Sequence, residues 1–357
     1  MTNLFDGFKL GNLELKNRLV MAPMTRNRAT REGEVTEMMV THYTQRASAG
    51  LMIAEATPVS PIAIGYPFTP GLFHQSQAIS WRRLTDSVHQ AGGSIFVQLQ
   101  HCGRISHPSL QPDFLPPLAP SAIQPKGQAV TYQGMQEFVT PRAMEKYEIN
   151  SVVDQFRSAA ELAKVAGFDG IEIHAANGYL IDQFLRDGSN ARHDDYGGSL
   201  TNRMRFLNEI LEAVSSIWNS TRVGVRLSPE NSFNSMFDSS PLQSFSYFVD
   251  QLNSKNLAYL HILQGDMGAS PVNPLDYHAL RKKFNGPYIA NGGYDLYRAQ
   301  NDIKEGFADL IAFGSPFLAN PDLVRRFKEN LALNEADRST FYGGDETGYN
   351  DYPFYGD

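Results

Sequence analysis

GFDGIEIHAANGYLIDQFL, residues 167–185, decides the fold. Side chains alternate along an extended strand, so within 170–174 Ile171 and Ile173 share one face while Glu172 and His174 share the other. The aliphatic face must meet a packing layer. The polar face is expensive to bury unless something pairs with it. Two further runs repeat the pattern. In 94–100, Ile95, Val97 and Leu99 oppose Gln98 and Gln100; in 222–228, Val223, Val225 and Leu227 oppose Arg226. An interior that carries Gln, Glu, His and Arg is either an internal ion-pair network, such as Glu172 with Arg226, or the wall of a site for a polar ligand.

Working outward, eight apolar runs read as strands: 19–23, 51–55, 94–100, 170–174, 222–228, 258–263, 287–291 and 309–313. Helical compositions lie between and after them, at 36–49, 76–91, 145–166, 201–219, 242–255, 274–283, 295–306 and 320–331. Strands alternating with helices of this length imply parallel βα units, and eight of them imply an α/β fold closed into a single (β/α)8 TIM barrel. No glycine fingerprint of a dinucleotide fold follows the first strand, which argues against an open doubly wound sheet. FKLGNLELKN, within 1–17, predicts a hairpin that caps the bottom of the barrel. Residues 103–144, rich in Pro, Gln and Ser, follow strand three without a helical period and predict a long insertion that serves as a lid. The tail 332–357 is rich in Gly and Tyr. No linker or repeat interrupts the chain, so 1–357 is expected to form one domain.

Composition narrows the function. The chain has 357 residues and a formal net charge of −7, with no basic cluster, which argues against nucleic acid or an anionic membrane as partner. The single cysteine, Cys102, excludes an internal disulfide framework and fits a reducing, cytoplasmic setting. The N-terminal residues show neither a basic start nor an apolar run, so no signal peptide is expected. No stretch approaches the roughly 20 apolar residues of a membrane helix.

The chemistry should sit where the strands end. Strands seven and eight run into Gly292-Gly293 and Gly314-Ser315, the loops that hold phosphate in this architecture. His174 and Asn177, three residues apart at a turn, can donate to one oxygen atom, and Tyr179 supplies an O–H suited to general-acid work. A capping Asn and a packed Tyr are the plain alternative. No lysine stands at a strand end for a Schiff base, HExxH spacing is missing and no GxSxG elbow occurs. His101, His107 and His261 are scattered and read as structural, so no metal is expected.

The chain resembles the Old Yellow Enzyme family of FMN-dependent ene reductases, in particular the bacterial members related to N-ethylmaleimide reductase and pentaerythritol tetranitrate reductase. The resemblance runs through NRLVMAPMTRNRA (17–29), GLMIAEAT (50–57), VQLQHCGRISH (97–107), the 167–185 stretch, NARHDDYGGSLTNRMRF (190–206), VGVRLSP (223–229), ANPDL (319–323) and FYGG (341–344). It implies that a tightly bound, non-covalent FMN covers the barrel mouth, bordered by Pro23, Met24 and Thr25, with Ala56 beneath the ring. Gln98 is then expected on the pyrimidine edge, and Arg226 near N1 and O2, where reduction builds negative charge. Gly292, Gly293, Gly314 and Ser315 are expected at the phosphate. His174 and Asn177 would grip the substrate oxygen, Tyr179 would protonate the α-carbon, and Tyr66, Gln100 and Tyr342 would complete the substrate wall. The implied reaction is ping-pong: NADPH or NADH reduces FMN at N5, and an electron-poor alkene (an enone, maleimide or nitro compound) then takes the hydride at its β-carbon. Three positions depart from many relatives. Gln100 stands where Trp is common, Ser315 where Arg is common, and Asn177 where some carry a second His. A flavin-dependent oxidase, a sugar-phosphate lyase and a non-catalytic flavin barrel remain as rivals at this point. The same reading expects a monomer or small homo-oligomer.

Overall fold

The computed structural model describes residues 2–267 and 275–356. Eight parallel strands close into a barrel in chain order: Leu19–Met21, Leu51–Pro58, Ile95–Gln100, Gly170–His174, Val223–Leu227, Tyr259–Leu263, Tyr288–Asn291 and Leu310–Phe313. The ring closes where the eighth strand pairs with the first, Phe313 opposite Met21. All eight predicted strands are present. The fifth begins at Val223 rather than at 222, because Arg222 ends a one-turn helix, Ser220–Arg222, that Asn219 caps.

Alternation sorts the side chains as the sequence requires. Ile171, Ile173, Val97, Leu99, Val223 and Val225 face outward into the large core shared with the helices. Inward-facing Val20, Leu51, Ile53, Phe96, Tyr259, Ile289 and Leu310 form a second, smaller apolar cluster. Leu10 and Leu15 complete that inner cluster. They come from the predicted hairpin, in which Phe8–Leu10 pairs antiparallel with Leu13–Leu15. The hairpin turn also receives the Arg222 side chain, Nε donating to Asn12 Oδ1 at 2.6 Å, so it sits at the N-terminal end of the barrel. The interior admits large rings only where a neighbour gives way: a Cβ on Gly224 would lie 2.3 Å from the Tyr259 ring.

Most predicted helices form with shifted ends: Glu37–Gln45, Gln75–Gln90, Lys146–Val165, Leu200–Ser215, Pro241–Leu252, Tyr277–Arg281 and Leu296–Lys304. The ends follow local chemistry. Thr36 accepts from the Met39 amide, Asp295 from the Arg298 amide, and Glu145 and Glu148 cap the third helix reciprocally. Residue 274, the start of one predicted helix, lies outside the described residues, as do Met1 and Asp357. Two expectations need correcting. The predicted helix 320–331 is shorter, Leu323–Glu329, and an unpredicted helix, Ser315–Ala319, precedes it; the two are separated at Asn320, whose extended backbone precedes Pro321. A further helix, Leu180–Leu185, follows Tyr179 directly.

The insertion 103–144 reads in sequence only as a long segment without a helical period. It contains a hairpin, Gln128–Thr131 with Gly134–Glu137, and a parallel bridge joining Leu118–Ala119 to Arg142–Ala143. Its Ala129 and Phe138 bury together with Ile105, and Tyr66 and Tyr179 pack against that cluster. The C-terminal tail returns to the mouth of the barrel. Tyr349 is fully buried, stacked on His42 with ring centroids 3.9 Å apart. The guanidinium groups of Arg26 and Arg28 lie 4.8 and 4.4 Å from its centroid.

Tyr349→Ala removes an aromatic body from a dry, cation-lined slot, and truncations of this kind cost about 3 kcal/mol or more. We therefore expect a lower denaturation midpoint and faster proteolysis of the tail. Wild-type values for both would show that the tail is not held through this ring.

Candidate active site

Glu172 is fully buried in the barrel interior, opposite Gly224. Because Gly224 contributes no side chain, the carboxylate can reach both neighbours beyond its own strand. Gln98 Nε2 donates to Oε1 at 2.7 Å, and His261 Nδ1 bonds Oε2 at 2.8 Å. Burial opposes ionisation of Glu172, but His261, Arg226 and Gln98 together outweigh it and hold the carboxyl below its usual range. The internal network raised from sequence therefore exists with different partners: Glu172 pairs with His261 and Gln98, and Arg226 makes no ion pair with it. Gln98, expected at the pyrimidine edge, is committed to Glu172 through its amide nitrogen.

One pleat nearer the mouth, His174 is paired in register with Arg226. Arg226 is 6 % exposed, its Nη2 donates to Asn291 Oδ1 at 2.9 Å, and its Nε has no partner in the protein. His174 is also buried, and its Nδ1 has no partner. Burial, then the charges of Arg226 and His261, hold its pKa far below the ordinary imidazole value, so the ring stays neutral. Two buried polar nitrogens without partners, side by side at a barrel mouth, call for a partner that the protein does not supply.

Asn177 adopts the left-handed conformation, φ 58°, that the Asn-Gly step tolerates. Its amide donates to Ser228 Oγ at 2.8 Å, its Oδ1 accepts from Asn231 Nδ2 at 2.8 Å, and its carbonyl accepts from Asn234 Nδ2 at 2.8 Å. The side-chain oxygen is thus used, and the Nδ2 donors remain available. Ser228, Asn231 and Asn234 were not singled out from the sequence; only VGVRLSP, which ends beside Ser228, pointed to the segment. Tyr179 follows at the N-terminus of the Leu180–Leu185 helix, its ring 5.1 Å from that of His174. Its hydroxyl meets the Tyr66 hydroxyl at 3.0 Å. Burial, reinforced by Tyr66 and Cys102, pushes the Tyr179 pKa well above the free phenol value. Tyr179 therefore keeps its proton and can give it up only to a stronger acceptor.

The remaining expected residues divide. Pro23 is buried and Met24 and Thr25 are half-buried in the stretch that follows the first strand. Ala56 follows a register shift that resets the alternation around Glu55 and brings Ala56 opposite Gln98. Gly292 and Gly293 have φ of 125° and 62°; a Cβ on Gly292 would strike the Gln264 carbonyl oxygen, whereas one on Gly293 meets only open space. Gly314 precedes the Ser315–Ala319 helix, and Ser315 is exposed. Gln100 is buried, with Nε2 bonded to Cys102 Sγ at 2.7 Å and Oε1 without a partner. Tyr342 is 71 % exposed and makes no hydrogen bond to the site. Of the scattered histidines, His101 accepts from the Gly103 amide and His107 from the Ser109 amide, which are structural tasks. Among the described residues, no three His, Cys, Asp or Glu side chains gather as metal ligands, and no helix is long and apolar enough to cross a membrane.

This set fits FMN by its own chemistry. An unpartnered arginine Nε and a histidine nitrogen stand at the mouth, and glycines end strands seven and eight, with open space at Gly293. Comparison with known proteins agrees. Residues 3–334 match the NADH:flavin oxidoreductase / NADH oxidase family. A putative 12-oxophytodienoate reductase 2 of Oryza sativa subsp. japonica is 44% identical over 360 residues, covering 98% of this chain and 94% of the relative. A probable flavin mononucleotide-dependent alkene reductase of Leishmania infantum is 42% identical, covering 97% and 95%. Among solved structures, morphinone reductase superposes with a TM-score of 0.95 at 44% identity, covering 99% and 96% of the two chains. The old yellow enzyme homologue of Zymomonas mobilis superposes with a TM-score of 0.96 at 42% identity, covering 98% and 99%. The chain belongs to the NADH:flavin oxidoreductase family, as an FMN-dependent enzyme of the Old Yellow Enzyme type.

Proposed function

We propose that the protein reduces the activated C=C bond of α,β-unsaturated carbonyl, maleimide or nitro compounds, with NADPH or NADH as reductant. The observation that carries this is His174, paired in register with the mouth residue Arg226, with Nδ1 unpartnered and the Tyr179 ring 5.1 Å away, and Asn177 in the turn between them with its Oδ1 held by Asn231. Bound FMN supplies the two-electron carrier between nicotinamide and alkene. In this assignment Pro23, Met24, Thr25 and Ala56 border the ring, Gln98 and Arg226 face its pyrimidine, and Gly292, Gly293, Gly314 and Ser315 surround the phosphate. Gln100, Tyr66 and Tyr342 belong to the substrate wall, under the lid formed by 103–144. The assignment treats residues 1–357 as one cytoplasmic domain acting as a monomer or small homo-oligomer.

His174 and Asn177 donate to the substrate carbonyl or nitro oxygen. This withdraws electrons from the alkene, and the two bonds strengthen as negative charge gathers on that oxygen. Asn231 holds the Asn177 amide so that its nitrogen, not its oxygen, points to the ligand. The Tyr179 O–H protonates the α-carbon, and Tyr66, within hydrogen-bond reach, can pass on a replacement proton.

Replacing both His174 and Asn177 with Ala should lower enone kcat/KM by about a hundredfold or more while FMN stays bound, since each such donor is worth ~2–4 kcal/mol in a dry site. Near-normal enone kinetics in the double variant would refute the oxygen-gripping assignment. Tyr179→Phe should slow the alkene half-reaction in stopped flow and spare reduction of the enzyme by NADPH, because only the former consumes its proton. Equal slowing of both would remove Tyr179 from the proton step. Because the His174 pKa is depressed, the ring is already neutral throughout the range where a free imidazole titrates. Affinity for a neutral carbonyl ligand should accordingly be flat from about pH 6 to 8; an inflection near the free-imidazole value, removed in His174→Ala, would contradict this.

A further inference from the structure

Arg226 has two possible neighbours. Below it lies the Glu172 carboxylate, whose charge acts on the guanidinium. Beside it lies Asn291, at the end of the seventh strand, whose Oδ1 accepts from Arg226 Nη2 at 2.9 Å. A buried guanidinium next to a buried carboxylate would ordinarily form a bidentate pair, the strongest bond open to it. The structure shows otherwise. Both Glu172 oxygens are occupied, by Gln98 and by His261. Asn291 is itself anchored, its Nδ2 donating to the Ala312 carbonyl on the eighth strand at 2.9 Å. Asn291 is only 7 % exposed, so water does not readily replace it. Held by its Nη2, Arg226 keeps its Nε unspent.

We infer that Asn291 is a positioning residue: it keeps the Arg226 guanidinium at the barrel mouth, facing the flavin, and prevents it from collapsing onto Glu172. This rests on the assignment of Arg226 to the flavin pyrimidine. Without Asn291, the guanidinium loses its only side-chain acceptor among the described residues, and the carboxylate that acts on it is Glu172. A cation drawn down into that pair is partly neutralised and is further from the developing charge.

The test uses apo-protein and three variants: Asn291→Ala, Glu172→Gln, and the two combined. FMN affinity is read by quenching of flavin fluorescence, the flavin midpoint potential by reductive titration, and folding by circular dichroism. Asn291→Ala should bind FMN about tenfold more weakly, the scale of one hydrogen bond to a charged group, and shift the potential to a more negative value. In the Glu172→Gln background the same replacement should cost less than about threefold, since the competing anion is gone; this coupling is what a double-mutant cycle isolates. Equal losses in both backgrounds would make Asn291 a mere wall of the pocket and overturn the inference, as would an unchanged affinity and potential in Asn291→Ala. If Asn291→Ala does not fold, Asn291→Ser, which keeps a short acceptor, should show the same signs with smaller size; wild-type behaviour there overturns the inference equally. Failure of wild-type protein to bind FMN would instead refute the flavin assignment itself.

Discussion

A carboxylate with no exposure in the middle of a barrel is the constraint around which the interior is arranged. An isolated buried charge is far too costly to persist. Glu172 therefore dictates Gln98 on one neighbouring strand, His261 two strands away on the other side, and the absence of a side chain at Gly224 between them. Glu172, Gln98 and His261 fill the middle of the cylinder with polar bonds. Apolar packing is left to the lower part, where the N-terminal hairpin closes the end, and ligand contacts to the upper part.

The upper part can then be chemically specific because its residues are not needed to satisfy the floor. Arg226 is free to bond Asn291, and His174 is free of protein partners on Nδ1. The same separation explains the protonation states. His174 stays neutral because it is buried near a fixed cation, and Tyr179 stays protonated because it is buried beside a second phenol. Both groups are thereby fixed as hydrogen-bond or proton donors by their surroundings rather than by solution pH.

Much of this was legible in the chain itself. Period-two alternation in three strands placed Gln98, Glu172, His174 and Arg226 inside, and the glycine pairs after the last strands marked the open loops. What escaped the sequence depends on contacts between distant segments. The Glu172–His261 bond spans 89 positions, and no local pattern distinguishes it from a Glu172–Arg226 pair on adjacent strands. The hairpin in the insertion, with its QAVT and GMQE strands, is too short and polar to stand out from a loop. The short helix Ser315–Ala319 escaped as well, because five residues that open on Ser-Pro show no helical period.

The tail has a consequence for how the molecule assembles. Arg26, next to Pro23, Met24 and Thr25, donates to the Gly348 carbonyl across 322 positions and to that of Phe341 across 315. Contacts of such sequence separation are slow to form, because nearly the whole chain must be in place before they give any return. The rim of the cylinder thus sets late, as does the ring itself, which closes where Phe313 pairs with Met21. A newly made polypeptide cannot fasten this rim until residue 348 has been synthesised.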